Sequence, residues 1–291
     1  MKFGAVPNPQ DIDFSLPEDH QDTSSVLGRN TEGFGKVYVG CAKWNKQDLK
    51  GFYPRGTKDE LTYYGTQFNC IELNATFYRI FPNQQSKKWA SRTPADFKFF
   101  PKVPQEISHF KRLTGCALAV EAYADSISGF GEKLGVPFLQ MIDNFAPSKF
   151  ETLQNFIENW PKGIPLALEL RHTDWYNDAN VASKLYALLE KHNIINIITD
   201  TAGRRDLLHM RLTTPSVFVR YVGANHESDY ARIEEWVDRI ANWKEQGMKD
   251  LYFFVHQNLE VESPLLSKHF IKLLNSKLGT DVRGPGQGML F

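Results

Sequence analysis

Eight short apolar runs recur along the chain, and this repetition restricts the possible fold more than any other feature of the sequence. Patterns typical of amphipathic helices follow most of the runs, as parallel βα units require. Eight such units are the number that closes a barrel, so the predicted fold class is α/β, a single (β/α)8 TIM barrel. The predicted strands are 37–40, 69–74, 97–102, 138–141, 166–171, 194–199, 217–221 and 251–255, and the predicted helices are 59–68, 83–92, 119–134, 150–160, 181–192, 230–246 and 264–278.

A doubly wound open sheet is the competing architecture. Such a sheet carries a glycine-rich fingerprint after its first strand and gathers its polar strand ends at one crevice. The chain lacks the fingerprint, and its polar strand ends are spread evenly, which favours the barrel. Residues 36–279 are therefore predicted to form the barrel domain. A polar, turn-rich N-terminal extension, 1–35, precedes it, and a glycine-rich tail, 280–291, follows it.

Charge and cysteine usage exclude some classes of partner. The chain has 34 basic and 34 acidic residues, so it lacks the global positive charge of a nucleic-acid or anionic-membrane binder. Its three cysteines are widely spaced and show no metal-ligand pattern, which favours a reduced, cytoplasmic setting. Neither a signal-peptide core nor a run of membrane-spanning length is present, so no membrane partner is expected.

The fifth predicted strand ends in a dense polar cluster. Because strand side chains alternate between two faces, Glu169 and Arg171 share one face while the leucines of the strand share the other. His172, Asp174 and Trp175 follow in the loop that leaves the strand. Burying a carboxylate and a guanidinium costs free energy unless each is partnered, so an inward-facing pair of this kind is informative.

The same alternation, applied to all eight strands, predicts an unusually polar barrel axis. A barrel interior that is packed only for stability contains mostly branched aliphatic residues. Because this axis is polar, its C-terminal end is predicted to be a binding or catalytic site. Its predicted lining also includes Asn196 and Asn258. The candidate catalytic residues are Glu72, Glu169, His172 and Asp200, and the candidate ligand-binding residues are Trp44, Asn74, Tyr78, Lys102, Gln140, Arg171, Trp175, Arg220 and His256.

Each candidate has an alternative explanation. Glu169 and Arg171 can pair with Arg220 and Glu72 as a purely structural ion network. The histidines have no partner at metal-ligand spacing, so no metal ligands are assigned, although a divalent metal held from separate strands stays an alternative. The aromatic residues after the strands either stack a ring of a ligand or anchor their loops.

A set of segments occurs in a specific order and spacing along the chain. They are Val39-Gly40 with Trp44, Gly51-Phe-Tyr-Pro54, Glu72-Leu-Asn-Ala-Thr-Phe-Tyr78, Trp89 with Pro94, Phe97-Lys-Phe99, Lys102 with Ile107-Ser-His109, Lys133-Leu-Gly135, Gln140, Glu169-Leu-Arg-His-Thr-Asp-Trp175, Asp200, Arg220-Tyr-Val-Gly223 and Tyr252-Phe-Phe254. In these segments the chain resembles the DUF72 family, also called YecE-like proteins. The resemblance implies a TIM barrel but no established activity. A likeness of that barrel to metal-dependent endonucleases acting at abasic DNA implies a nucleic-acid role by fold analogy only. The chain departs from the family pattern at Val222, where a histidine is usual.

The first functional hypothesis is a hydrolase-like enzyme acting on a phosphorylated or phosphodiester substrate. Arginine side chains bind phosphate oxygens through paired hydrogen bonds, so Arg171 and Arg220 are expected to hold the anion. Glu169 would act as general base or metal ligand and His172 as general acid. The expected partner is a small anionic ligand or a nucleic acid, and the oligomeric state stays open.

Two other hypotheses belong to different classes. Glycoside hydrolysis by Glu72 and Glu169 requires the two carboxylates to lie about 5 to 9.5 Å apart. Strands two and five of a barrel lie on roughly opposite sides, which argues against that pairing. A non-catalytic nucleotide or nucleic-acid binding module would use interleaved basic and aromatic residues. Those residues are Lys43, Trp44, Lys46, Lys50, Phe52, Tyr53 and Arg55.

Overall fold

The structure, a computed structural model, describes residues 5–286 as an α/β fold built on parallel strands. The strands are β1 Val37–Cys41, β2 Cys70–Leu73, β3 Lys98–Pro101, β4 Phe138–Gln140, β5 Ala167–Glu169, β6 Ile195–Asn196, β7 Ile198–Thr201, β8 Val217–Val222 and β9 Leu251–His256. The helices are α1 Thr23–Leu27, α2 Glu60–Gln67, α3 Ala75–Tyr78, α4 Asn83–Ala90, α5 Ala117–Ser128, α6 Phe150–Glu158, α7 Asp174–Asn177, α8 Ala179–Lys191, α9 Ser228–Glu245 and α10 Ser263–Leu278.

The strands form three parallel sheets, in the orders β1-β9-β8-β7, β2-β3 and β4-β5-β6. The predicted α/β class is therefore confirmed. The strand count is not the predicted eight, because the sixth predicted strand divides at Ile197. The N–H of Ile197 donates to the carbonyl oxygen of Leu168 on one side, at 2.9 Å, whereas the residues after it pair with β8 on the other.

Side chains and isolated bonds join the sheets where the backbone ladder is interrupted. Between β1 and β2, the amide of Asn69 accepts from the N–H of Val39 at 3.0 Å and donates to the carbonyl of Val37 at 2.7 Å. Between β3 and β4, the N–H of Val103 donates to the carbonyl of Phe138 at 2.8 Å. These contacts join the amino end of β2 to β1 and the carboxyl end of β3 to the start of β4.

Two apolar layers follow from the alternation of strand side chains. The larger layer lies between the strands and the helices and includes Trp236 and Trp243 of α9. The smaller one is a cluster of inward-facing rings, in which Phe254 lies 4.9 Å from Phe100 and 5.0 Å from Phe218 between ring centroids. Because these rings fill the interior below the strand ends, polar residues that face inward meet at the C-terminal end.

The first segment of the chain packs against α9. Asp19 accepts hydrogen bonds from Arg239 at 2.7 Å and from Trp243 at 2.9 Å, and the backbone N–H of Leu16 donates to Glu235 at 2.8 Å. Val26 of α1 is completely buried. The predicted division of the chain at residues 35 and 36 stays a prediction. Within residues 5–286, each helix is too short or too polar to cross a lipid bilayer.

Gly40 provides a test of how tightly β1 and β2 approach. A Cβ atom on Gly40 would lie 2.9 Å from the carbonyl carbon of Cys70, a backbone atom that cannot rotate away. We expect Gly40→Ala to lower the free energy of unfolding by about 3 kcal/mol, the upper part of the usual cost of overpacking. The measurement is urea unfolding followed by circular dichroism.

Gly28→Ala is the matched control, because the nearest atom to its new Cβ would be the Ser24 carbonyl oxygen at 3.3 Å. Equal unfolding midpoints for Gly40→Ala and the unmodified protein would show that the two strands do not constrain each other at this position.

Candidate functional site

Arg220 is the centre of the polar cluster at the carboxyl ends of the strands. Two of its nitrogens donate to the two oxygens of Glu72, both at 2.9 Å, and the third donates to Glu169 and to the amide oxygen of Gln140. Arg220 lies on β8, Glu72 on β2 and Glu169 on β5, and all three side chains are buried. Paired hydrogen bonds of this geometry are the strongest that a guanidinium makes with carboxylates.

Arg171 and Lys102 extend this cluster towards solvent. Arg171 donates to Glu169 at 2.6 Å and to the amide oxygen of Gln140 at 2.9 Å, and Lys102 donates to the same oxygen at 3.1 Å. One neutral oxygen therefore accepts hydrogen bonds from three cationic side chains. We call the six residues the mouth network: Glu72, Lys102, Gln140, Glu169, Arg171 and Arg220.

The pKa values of the mouth network follow from burial and from these charges. Burial alone would raise the pKa of the Glu169 carboxyl, but Arg220 and Arg171 outweigh it and lower that pKa to about 2. The pKa of Glu72 likewise lies well below its ordinary value, because Arg220 and His256 outweigh burial. Burial lowers the pKa of the Lys102 ammonium to about 7, and the charge of Arg220 acts in the same direction.

A cavity of about 350 Å³ opens beside Glu72. His256 Nε2 lies 3.0 Å from one oxygen of Glu72, and Asn74 donates to the other oxygen at 2.8 Å. Because the ionised carboxylate only accepts hydrogen bonds, His256 Nε2 carries a proton. The ring nitrogen Nδ1 lies 3.8 Å from Glu260. We call this cavity the Glu72 pocket, and its lining includes Lys43, Trp44, Asn74, Tyr78, His256 and Glu260.

Two residues absent from the sequence-based candidates, Phe77 and His109, border the mouth network. The Lys102 ammonium lies 4.1 Å from the centre of the Phe77 ring, and the ring of His109 lies 4.9 Å from the same ring. Burial and the charge of Lys102 lower the pKa of His109 to about 4. His109 belongs to a π-helix, Glu106–Phe110, a type of turn that occurs often at functional sites and has no recognisable sequence period. The sequence did offer one indication of a role for His109, its place in the Ile107-Ser-His109 segment that resembles the DUF72 family.

The predicted position of Asp200 on the barrel axis is wrong. Its carboxylate faces α9, where it accepts hydrogen bonds from Arg232 at 2.9 Å and from Trp236 at 2.8 Å. Asn196 also faces away from the axis, because Ile195 and Ile197 belong to the inward-facing cluster. The run 194–199 has isoleucines on both faces, so its one asparagine, Asn196, was not a reliable indication of which alternate positions point inward. Asp200 is therefore separated from the mouth network.

Trp175 and His172 make their contacts within or beside their own loop. Trp175 is fully buried, and its indole N–H donates to the carbonyl of Phe145 at 2.6 Å, so its ring faces cannot stack a ligand. His172 Nδ1 accepts from the N–H of Asp174 at 3.3 Å. The half-buried ring of Trp44 packs edge-on against Trp89, 5.8 Å between centroids, at the wall of the Glu72 pocket.

The interleaved basic and aromatic stretch does not form a stacking surface. Phe52 and Tyr53 are buried in the core, whereas Lys46, Lys50 and Arg55 point into solvent. The aromatic faces that would stack bases are therefore covered. Over residues 5–286, no cluster of three or more histidine, cysteine, aspartate and glutamate side chains has an arrangement that could hold a metal ion.

Comparisons with known proteins give one consistent family. The family profile described as "Protein of unknown function DUF72" matches residues 38–287. UPF0759 protein YecE of Escherichia coli K12 is 23% identical over 252 residues, covering 79% of this chain and 89% of that protein. UPF0759 protein YunF of Bacillus subtilis 168 is 25% identical over 280 residues, covering 87% and 93%. A crystal structure of a DUF72 family protein from Enterococcus faecalis V583 superposes with a TM-score of 0.68 at 17% identity, covering 86% and 100%.

The ionisation of Glu169 predicts a pH dependence of stability. Its pKa is lowered from 4.5 to about 2 in the folded protein, so the unfolded chain takes up the proton first as the pH falls. The stabilisation, on the order of 3 kcal/mol, is fully present above about pH 5 and is lost as the pH falls towards 2. We expect Glu169→Gln to show a smaller loss of unfolding free energy over that window in urea titrations.

The exposed Glu245, replaced by Gln, is the control and should keep the steep dependence of the unmodified protein. If Glu169→Gln retains the same acid slope, the carboxylate is not held in its charged form by the two arginines.

Proposed function

This chain belongs to the DUF72 family, whose description assigns no function, and we propose that it is an enzyme acting on a small phosphorylated substrate at the mouth network. The phosphate group is held by Lys102 and Arg171, and His256 transfers protons in the adjoining Glu72 pocket. Glu72 and Arg220 orient these groups and do not react.

One observation supports the proposal above all others. Three cationic side chains of the mouth network meet two carboxylates, and the neutral oxygen of Gln140 is shared by all three cations. Within the described part of the chain, no carboxylate oxygen lies within 4.0 Å of the Lys102 nitrogen. An anionic group of a substrate would supply the missing negative charge in a site where burial strengthens the attraction.

The assignments differ from those expected from the sequence. Every side-chain nitrogen of Arg220 already donates within the network, so Arg220 organises the site instead of holding the substrate. Arg171 is partly exposed, and the exposed Asp143 lies 4.0 Å from one of its terminal nitrogens. A phosphate oxygen can therefore reach the guanidinium of Arg171 and the ammonium of Lys102 together.

His256 is better suited to proton transfer than Glu169. A carboxylate with a pKa of about 2, bound by two arginines, takes up a proton poorly at neutral pH. His256 instead has its Nε2 proton directed at the ionised Glu72, which leaves Nδ1 as the proton acceptor. Nδ1 can accept a proton from water, as hydrolysis requires, or from the substrate itself.

Glycoside hydrolysis lacks the required general acid. That reaction needs one carboxylic acid that stays protonated near neutral pH. Both Glu72 and Glu169 have lowered pKa values and bind the same guanidinium, so both are ionised. The two carboxylates therefore hold the mouth network together and do not catalyse cleavage of a glycosidic bond.

We also propose that the three sheets together make a closed eight-stranded barrel, with 36–279 as its domain. β6 and β7 are separated by one residue and would act as a single strand. The Asn69 contacts join β1 to β2, and the isolated bridge from Lys102 to Phe138 joins β3 to β4. With these links, each strand has a neighbour on both sides.

Phosphate binding tests the anion site. We expect inorganic phosphate to bind the unmodified protein at low ionic strength, and Lys102→Met to weaken that binding at least tenfold, about 1.4 kcal/mol, because one of two cations is lost. Isothermal titration calorimetry is the measurement. Lys98→Met is the matched control, since Lys98 lies at the opposite end of β3 and donates to the carbonyl of Glu132. Equal affinities in all three proteins would exclude the site.

Replacement of His256 tests the catalytic assignment. We expect His256→Gln to retain phosphate binding and to lose at least a hundredfold in kcat on any phosphorylated compound that the unmodified protein converts, which is within the usual range for loss of a general base. Product release is followed by chromatography. Full turnover in the variant would contradict the assignment of proton transfer to His256.

A further inference from the structure

Lys102 is held in an environment that differs from that of an ordinary structural lysine. It follows β3, its backbone N–H donates to the carbonyl of Leu73 at 3.1 Å, and its carbonyl accepts from Thr76 at 2.8 Å. Its ammonium lies between the ring of Phe77 at 4.1 Å and the oxygen of Gln140 at 3.1 Å. The residue is 8% exposed, so it is almost completely buried.

Groups of both signs face this ammonium from the neighbouring elements. Arg220 and Arg171 repel it from β8 and from the loop after β5, whereas Glu169 and Glu72 attract it. His109 approaches from the π-helix and is neutral above about pH 4. Burial is the largest effect and favours the uncharged amine, so a large fraction of Lys102 carries a free lone pair at neutral pH.

Lys133 shows what a structural lysine of this chain looks like. Its ammonium donates to the carbonyls of Ala90 and Thr93, both at 2.6 Å, and to the hydroxyl of Thr93 at 3.3 Å. All three of its protons are engaged, although burial lowers the pKa of this ammonium as well. Lys102 has one oxygen acceptor and an aromatic ring, so its nitrogen can give up a proton without breaking a comparable set of bonds.

We propose that Lys102 is a nucleophile that forms a Schiff base with the carbonyl group of a small phosphorylated aldehyde or ketone. The inference rests on the proposed function for the phosphate site, which Arg171 then provides. Buried amines beside other cations are the lysines that enzymes use in this way.

The step balances without a further reagent. The neutral amine adds to the carbonyl carbon, and the carbonyl oxygen takes up a proton to give a carbinolamine. A second proton on that hydroxyl lets it leave as water, while the nitrogen loses one of its own protons and keeps its bond to carbon. The product is a protonated imine, so the nitrogen regains the positive charge that faces Glu169 and Glu72. His256 then lies in the adjoining pocket as the group that removes or returns a proton on the substrate.

Reductive trapping tests the inference directly. The full-length protein is incubated at pH 7 with pyridoxal 5′-phosphate, a phosphorylated aldehyde, and treated with sodium borohydride, which delivers hydride to the imine carbon and leaves a stable secondary amine. Peptide mass spectrometry then locates the adduct. We expect at least tenfold more adduct on Lys102 than on Lys133, and labelling of Lys102 that levels off above about pH 8 while that of exposed lysines continues to rise.

Variants separate the covalent step from phosphate binding. Lys102→Arg keeps the positive charge, so it should bind inorganic phosphate but form no adduct at residue 102. Arg171→Gln should reduce labelling by pyridoxal 5′-phosphate by a larger factor than labelling by pyridoxal, which has no phosphate. Urea unfolding verifies that each variant is folded.

The possible outcomes are distinct. An adduct spread over exposed lysines without enrichment at Lys102, in a protein that binds phosphate, overturns the Schiff base and leaves the proposed function standing. Equal labelling of Lys102 by pyridoxal and its phosphate supports the nucleophile but removes the phosphate site. Selective labelling of Lys102 by the phosphorylated aldehyde supports both the nucleophile and the phosphate site.

Discussion

The structure depends on one guanidinium buried between two carboxylates. Arg220, Glu72 and Glu169 each come from a different one of the three hydrogen-bonded sheets, so these ion pairs join the parts of the fold that the backbone ladder leaves separate. Buried ion pairs add little net stability compared with apolar packing, but they are costly to misplace. An arrangement of the sheets that moved one of the three strands along its axis would leave a charge unpaired in the interior. The network therefore selects the register of the sheets as well as preparing a site.

The layers of the interior explain how this polar site is kept away from solvent. The ring cluster around Phe100 and Phe254 closes the interior from below, and the Arg220 guanidinium lies 5.3 Å from the ring centre of Phe138 at its upper boundary. Charges on such an apolar base interact more strongly than the same charges in water. Burial acts in opposite directions on the two groups, raising the pKa of Glu169 and lowering that of Lys102, whereas Arg220 lowers both pKa values.

The sequence allowed prediction of the site where polar and apolar residues alternate clearly. In the fifth strand, leucines alternate with Glu169 and Arg171, so their common face could be assigned, and Glu72 and Arg220 followed in the same way. Asp200 was assigned to the wrong face, because the run before it has isoleucines on both faces. The burial of Trp175 and the approach of His109 depend on how loops pack, which no local periodicity records. The break at Ile197 likewise depends on the partner strands and not on the residue itself.

The pairing of β1 with β9 joins the two ends of the chain, since Val37 lies opposite Leu251. The segment before β1 also binds α9, through Leu16 and Glu235, which are 219 positions apart in the sequence. Contacts of such sequence separation form late, because the loop they close must be ordered first. On the ribosome, the edge of β1 and the apolar side chains of α1 stay uncovered until residues 228–256 have emerged. β1 can therefore complete its pairing only after β9, Leu251–His256, has been synthesised.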